Sequence, residues 1–418
     1  MIDQAAPSAA VNQEADAGAG QPERTLVWWA LGVAVLSRLV ILAIGFLARS
    51  TLPVLHPRGA VLALPSVLYR GVLGRLLDGW TNSDAAWYLN IAQHGYVHRD
   101  SEAFLPLYPL LVHLLAGSGM GYVPAGIALA LACFVAAAML LYRLTADALG
   151  ERTALWTVVF LSIAPTSFFF SAIYTESLFL FGSVALFFFA QCRQWLVAGL
   201  AGLLATLTRS AGLVLAVPLL LFYLQSVDWQ WRRIRAGILS MLLVPCGLTL
   251  YMVYLWSARG DPLLFAKAQR HWHRYFAAPY VTVWQGVRCG YLGAAHLLAH
   301  DSLSHLSALA WQSSLDLVNL SNLVALVVVA GLMVLGWRRL AAPYNAYALL
   351  ALLFLLFNPA RAEPLMSLPR LALVVFPLLM ALATATQKRP LVRALVVSLC
   401  LVGLAWLTAR FVLFAWVA

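Results

Sequence analysis

Charge is almost absent from long stretches of this chain. Between Arg152 and Asp228 the only charged side chains are Glu176, Arg193 and Arg209. A helix that crosses a bilayer needs about 20 mostly apolar residues, and runs of roughly that size follow one another along the sequence. Of the 418 residues, 63% are hydrophobic and 10% charged, where a soluble domain carries about 45–50% apolar and about 25% charged residues. Lipid is therefore the solvent for most of these side chains, and the reading is an all-α polytopic membrane protein. Spans are expected near 26–48, 124–145, 153–173, 175–192, 195–209, 211–227, 237–258, 317–337, 343–359, 370–386 and 391–416. That is about eleven helices, within a range of about nine to twelve. No internal repeat is visible.

Short loops fix an expected orientation. With a cytoplasmic N-terminus, the inner loops hold Arg143 and Arg152, Arg193, the cluster Arg232, Arg233 and Arg235, the pair Arg338 and Arg339, and Lys388, Arg389 and Arg393. Basic residues in short cytoplasmic loops are what orients a membrane protein. The same rule accounts for the net charge of +11 without a nucleic-acid partner. Residues 1–25, rich in Ala, Gly, Gln, Pro and acids, read as a disordered cytoplasmic tail. Residues 26–418 read as one transmembrane domain, whose first span stays as an anchor because no cleavable leader pattern precedes it. Four of the five cysteines, Cys133, Cys192, Cys246 and Cys400, lie in apolar runs, which excludes a disulfide framework.

Two connections are too long and polar to be turns: about 49–122 and about 257–316, both on the outer side. Amphipathic pieces such as Val61 to Leu77 and Phe104 to Leu115 are expected to lie along the membrane surface. The first loop carries Asp84 ahead of an aromatic stretch, Trp87-Tyr88-Leu89. A carboxylate at the membrane interface can face water while apolar neighbours tune it, which suits a general base for a hydroxyl acceptor or a ligand for a divalent cation, Mg or Mn. Taken alone, Asp84 fits the plain role of a helix N-cap better than that of a catalyst, since Asp is a favoured cap.

Its companions sharpen the reading. Arg209, Arg361 and Arg370 sit in short outer turns, where few cations are expected. Arginine suits bidentate phosphate recognition, although snorkelling to lipid headgroups is the competing role. Glu176 opens a span, where an ionisable group is costly and points to function, or else stabilises a helix N-terminus. The second loop contributes Gly260-Asp261-Pro262 and then Lys267, Gln269, Arg270, His271, Trp272, His273 and Arg274, a mixture suited to a headgroup or a sugar ring and equally to an interfacial helix. His296 and His300 have the i, i+4 spacing of a zinc site, with His305 following, but no adjacent Glu base, so a surface role is favoured. Arg38, inside the first span, must face protein or water, and an acid is its candidate partner.

At these residues the chain resembles the PIG-V type of GPI mannosyltransferase, in particular its bacterial relatives, within the C-type (GT-C) glycosyltransferases. The likeness rests on Asp84-x-x-Trp87-Tyr88-Leu89-x-Ile91-Ala92-x-x-Gly95-Tyr96 and on Ala103-Phe104-Leu105-Pro106-Leu107-Tyr108-Pro109. It continues through Pro165-Thr166-Ser167, Tyr174-Thr175-Glu176-Ser177, Thr208-Arg209-Ser210, Gly260-Asp261-Pro262 with Gln269 and Trp272, and Leu368-Pro369-Arg370. The resemblance implies transfer of a hexose, mannose being the expected one, from a polyprenyl-phosphate carrier to a hydroxyl of a lipid, glycan or protein acceptor on the non-cytoplasmic face. It makes Asp84 the catalytic residue. Glu102, Tyr174, Glu176, Arg209, Gln269, Trp272 and Arg370 become the substrate-binding set. Membrane lipids and a small membrane subunit are the other expected partners. Two other classes stay open: a flippase for a lipid-linked sugar, and a non-catalytic membrane subunit. Clustering of Asp84, Glu176, Arg209 and Arg370 in one cavity would favour the enzyme, and scattering would favour the subunit.

Overall fold

The computed structural model describes residues 11–54, 68–299 and 315–417, with side chains from Leu26 onward. Residues 61–67 of the expected amphipathic piece, together with His300 and His305, lie outside the described residues, as do residues 1–10 of the expected tail. From Val11 the backbone is helical. The first half of the chain gives α1 (Val11–Thr51), α2 (Gly71–Leu77), α3 (Asp84–His94), α4 (Leu107–Leu115), α5 (Tyr122–Leu149), α6 (Glu151–Ile163), α7 (Glu176–Gln191), α8 (Trp195–Thr208) and α9 (Ala216–Ser226). The second half gives α10 (Leu243–Arg259), α11 (Leu264–Ala268), α12 (Pro279–Ala299), α13 (Leu315–Trp337), α14 (Ala342–Leu356), α15 (Leu368–Leu373), α16 (Pro377–Thr386) and α17 (Pro390–Val412).

The burial pattern is that of a membrane protein. Along α17, Leu391, Leu395, Leu399 and Val402 form one exposed stripe, and Val324, Val327 and Val328 do the same on α13. Such apolar faces are stable only against lipid or a partner. The interior is lined instead by close-packed small and aromatic residues, Ala137, Ala138, Leu141 and Phe170 among them. Among the described residues, five helices are long and apolar enough to cross a membrane: Leu26–Thr51, Tyr122–Leu149, Ala236–Arg259, Leu315–Trp337 and Pro390–Val412. The other six expected spans contain helices of 10 to 16 residues.

These shorter spans are interrupted, and the interruptions gather at one end of the bundle. The expected span 153–173 stops at Ile163, because Pro165 cannot continue a helix; a short 3₁₀ turn, Ser167–Ser171, follows. The expected span 370–386 is divided into α15 and α16 by Pro377 at the start of the latter. Span 211–227 begins as a 3₁₀ segment, Ser210–Leu215. Irregular backbone is tolerated at membrane depth only where protein or a polar cavity satisfies it, so these breaks point to where a site lies.

The second long connection contains the 21-residue helix α12, which packs closely along α13. Gly290 meets the Leu323 side chain and Gly293 the Asp316 backbone, with no room for a Cβ at either position. His296 pairs with Asp316 at 3.4 Å, in keeping with its expected surface role.

Candidate functional site

The site is assembled at four helix ends, the starts of α3, α7 and α15 and the end of α8. Helix α3 begins at Asp84 after Ser83, whose φ of +57° is unusual for a non-glycine residue. Helix α15, which carries Arg370, begins after Ser367 at φ +63°. Backbone held in this sparsely populated region costs on the order of 1–3 kcal/mol and persists where surrounding structure enforces it. Around Asp84 the enforcement is visible. Asn82 donates from Nδ2 to the carbonyls of Phe411 and Ala415 at 3.0 and 3.3 Å, and the Tyr174 hydroxyl donates to the Asn82 carbonyl at 3.0 Å.

With Ser83 in the N-cap position, the Asp84 carboxylate is not spent on a cap. It accepts from Arg370 Nη1 at 2.8 Å. Arg370 Nε donates to Glu176 Oε1, and the same oxygen accepts from Arg209 Nη1 at 2.7 Å. Four residues remote in sequence thus form one alternating chain, Asp84–Arg370–Glu176–Arg209. Glu176 is fully buried at the N-terminus of α7, and Arg370 is nearly so, whereas the side chains of Asp84 and Arg209 retain 20% exposure each. The Arg370 guanidinium lies 4.5 Å from the Tyr174 ring centroid and 5.0 Å from that of Phe169, a cation–π seat on two faces. Neither Arg209 nor Arg370 snorkels to the headgroup layer.

The exposed side of this chain opens into a cavity of about 620 Å³. Asp84, Tyr88, Arg209, Gln269, Arg270, Trp272, Arg274 and Arg370 line its polar part, and Tyr347, Ala351, Leu352, Leu355, Val374 and Leu378 continue it as an apolar furrow. Trp272 packs against Trp87 and Phe104, at centroid distances of 5.8 and 5.4 Å, so the two long connections meet in one aromatic cluster beside the opening.

Not every expected site residue reaches the cavity. Tyr174 and Glu176 lie behind it as the support of Arg370. Glu102 turns away: its carboxylate faces Arg259 at 3.6 Å, and its carbonyl accepts from the Tyr251 hydroxyl at 2.9 Å. Arg361 is exposed. Among the described residues Arg38 pairs with no acid; its partners are serine hydroxyls and backbone carbonyls.

Three relevant residues were not singled out from sequence. Arg274 lines the cavity and donates to the Asn358 carbonyl at 3.0 Å. Its backbone is fixed by an antiparallel bridge to Ala360, with Tyr275 N–H donating to the Pro359 carbonyl at 3.0 Å. Burial lowers its pKa to about 10, partly opposed by the nearby Asp84 carboxylate, so it remains cationic at neutral pH. Glu363, facing Trp416 and Arg274, has its pKa raised by burial, with those two neighbours acting the other way. Trp416 reaches the cavity from beyond α17. The proximity of Arg274 to Ala360 is set by tertiary structure, so no local signal marks it.

The site does not suit a divalent cation. Three guanidiniums, those of Arg209, Arg274 and Arg370, stand beside Asp84 or Glu176, and Asp84 is the sole carboxylate among the described residues that line the cavity. Among the described residues no three His, Cys, Asp or Glu side chains come together.

Residues 30–230 match the family model described as Mannosyltransferase (PIG-V). The resemblance read from the motifs is borne out there. Among curated proteins, similarity extends to GPI mannosyltransferase 2 of Drosophila melanogaster, 28% identical over 46% of this chain and 47% of that protein. GPI alpha-1,6-mannosyltransferase 2 of Cricetulus griseus is 31% identical over 44% of this chain and 40% of that protein. The matched region thus spans less than half the length of either relative. Among solved structures, the chain is similar to ArnT from Cupriavidus metallidurans bound to undecaprenyl phosphate, with a TM-score of 0.48 and 15% identity, over 86% of this chain and 60% of that one. Similarity to the oligosaccharyltransferase AglB from Archaeoglobus fulgidus, in complex with an inhibitory peptide and a dolichol-phosphate, has a TM-score of 0.40 and 15% identity. It covers 90% of this chain and 56% of that one.

Proposed function

We propose that this chain is a membrane glycosyltransferase that moves a hexose, mannose by family likeness, from a polyprenyl-phosphate carrier to a hydroxyl group of a lipid, glycan or protein acceptor. The observation that carries this reading is the shape and charge of the cavity. Arg209, Arg270, Arg274 and Arg370 line it with Asp84 as the sole lining carboxylate among the described residues, which leaves a net positive charge for an anionic group, and α14, α15 and α16 give it an apolar stripe. A phosphate joined to an isoprenoid has that distribution.

In this mechanism Asp84 accepts the proton of the acceptor hydroxyl as its oxygen attacks the anomeric carbon from the side opposite the phosphate. The bond to the carrier oxygen breaks, its electron pair stays on the phosphate, and the anomeric configuration inverts. Arg274 and Arg209 receive the charge that grows on the leaving phosphate, in a site preorganised for it. Arg370 holds the Asp84 carboxylate in place and aims it. Gln269 and Trp272 supply a hydrogen-bonding group and an aromatic face for a sugar ring.

The clustering of Asp84, Glu176, Arg209 and Arg370 favours catalysis over a purely scaffolding subunit. The basic loops lie at the helix ends opposite the cavity, which favours a non-cytoplasmic site under the positive-inside rule. The direct test uses protein reconstituted with polyprenyl-phosphate mannose and a membrane acceptor extract, with release of polyprenyl phosphate as the readout. Asp84→Asn is expected to slow release by about 10²–10⁴-fold, the usual contribution of a positioned base. A wild-type rate in that variant would remove Asp84 from the chemistry.

A further inference from the structure

Arg38 is a buried cation in the middle of a membrane span, 3% exposed. A charge at that depth costs at least ~2.5–3.5 kcal/mol on insertion scales. It faces neither the cavity nor, among the described residues, an acid. All five of its N–H groups are nevertheless used. Nε donates to Ser37 Oγ at 3.2 Å. Nη1 donates to the Ser167 carbonyl at 2.7 Å and to Ser171 Oγ at 3.4 Å. Nη2 donates to the Ser162 carbonyl at 2.8 Å and to Ser167 Oγ at 2.6 Å. The guanidinium also stands over the Phe134 ring at 4.1 Å.

Four of these five bonds go to one place, the broken segment that follows α6. There Pro165 has ended the helix, so the Ser162 carbonyl points beyond the last helical turn, and irregular backbone at this depth must be satisfied by protein. Arg38 gives that carbonyl a donor beside Ser167 Oγ, which donates to it at 3.0 Å, and gives another to the Ser167 carbonyl at the start of the 3₁₀ turn. The segment it fixes is in turn the floor of the candidate site. Thr166 Oγ1 donates to the carbonyl of Pro369, the residue before Arg370, at 3.1 Å. Phe169 lies beneath the Arg370 guanidinium. Ser177, adjacent to Glu176, donates from Oγ to the Phe170 carbonyl at 3.1 Å.

We infer that Arg38 is a positioning residue for sugar transfer, setting the place of Arg370, and through it Asp84, by way of the Ser162–Ser171 segment. The inference rests on the glycosyltransferase reading of the cavity. It explains why a costly charge stands at a point that touches no substrate: a neutral side chain could fill the volume but not bind two carbonyls and two hydroxyls at once.

A double-mutant cycle tests it, with Arg38→Met, Arg370→Lys and the double variant measured as purified, reconstituted protein. The readouts are binding of polyprenyl phosphate by native mass spectrometry and turnover of polyprenyl-phosphate mannose. Arg38→Met is expected to lower turnover by about tenfold, less than the roughly 10²-fold attached to a misplacement of about 1 Å. In the Arg370→Lys background the same change is expected to cost less than about threefold, because residues acting through one chain are not additive. Full additivity, or an unchanged rate in Arg38→Met, overturns the inference. Should Arg38→Met not be recovered folded, Thr166→Val breaks the segment's bond to Pro369 and leaves the buried cation intact. It must show the same non-additivity with Arg370→Lys, and additivity there overturns the inference equally. A wild-type protein that neither binds the carrier nor turns over the donor refutes instead the glycosyltransferase reading on which the inference stands.

Discussion

Replacing Glu176 by Gln tests the centre of the site with the smallest change of shape. The Glu176 Oε1 atom accepts from Arg370 Nε and, at 2.7 Å, from Arg209 Nη1. The carboxylate is wholly buried, so water cannot take over its role. Glutamine keeps an acceptor at that position and removes only the charge. Hydrogen bonds to charged groups contribute about 1.5–3 kcal/mol; a pair ionised on both sides lies at the upper end, and the cationic arginine facing a neutral amide lies at the lower. Each of the two bonds therefore loses roughly 1–1.5 kcal/mol, or about 2–3 kcal/mol together. The new amide N–H₂ adds to this, since Glu176 Oε2 has no hydrogen-bond partner among the described residues and offers the amide no acceptor.

Two observables follow. The folded state is expected to lose about 2–3 kcal/mol, read as earlier thermal unfolding in lipid nanodiscs, although Arg209 recovers part of its share by turning toward solvent. Arg370 keeps Asp84 as its remaining carboxylate and is drawn toward it, so the transfer rate also falls. Were the whole loss expressed in the transition state, the rate would drop about 30- to 160-fold. Glu176→Asp keeps the charge but withdraws it by one methylene, and is expected to recover stability more than rate. Wild-type melting together with a wild-type rate in Glu176→Gln would refute the claim that this carboxylate organises the two arginines.

Other outcomes are fixed by the same geometry. Arg274→Gln is expected to weaken donor binding by about 10- to 100-fold, the range of one charge-assisted hydrogen bond, with a smaller effect on turnover at saturating donor; initial rates against donor concentration separate the two. Glu363 is expected to make stability fall with rising pH. Its folded pKa lies above the ordinary 4.5, so the folded state binds more protons than the unfolded one, and stability declines as pH rises from that value through the folded pKa. Glu363→Gln removes this titration, so its melting temperature relative to wild type should rise between about pH 4 and pH 7; a constant difference would show that burial does not perturb the carboxyl.

The sequence carried more of the site than of the architecture that supports it, and the reason is where each signal is stored. Arg209, Arg370 and Glu176 were legible because each breaks a local rule: a cation in an outer turn or an acid at the start of an apolar span. A membrane makes such violations costly, so they stand out without any knowledge of contacts. Arg274 breaks no rule. It lies among Arg270, His271 and His273 in a stretch that reads as polar throughout, and which of these faces the cavity is decided by the bridge to Ala360. Glu102 illustrates the converse, since its sequence context resembles a binding residue while its partner, Arg259, is 157 positions away. The packing of α12 along the bundle was hidden because its packing face is glycine, Gly286, Gly290 and Gly293, with Tyr280, Trp284 and Tyr291 exposed. Close approach through small residues gives no hydropathy signal. Arg38 falls between the two cases. Its depth announced that something must pair with it, but the partner proved to be a stretch of backbone opened by Pro165. In a membrane, a broken helix creates the same demand for a donor that a buried acid does, so each in-span proline is a second place to look for the partner of a buried cation.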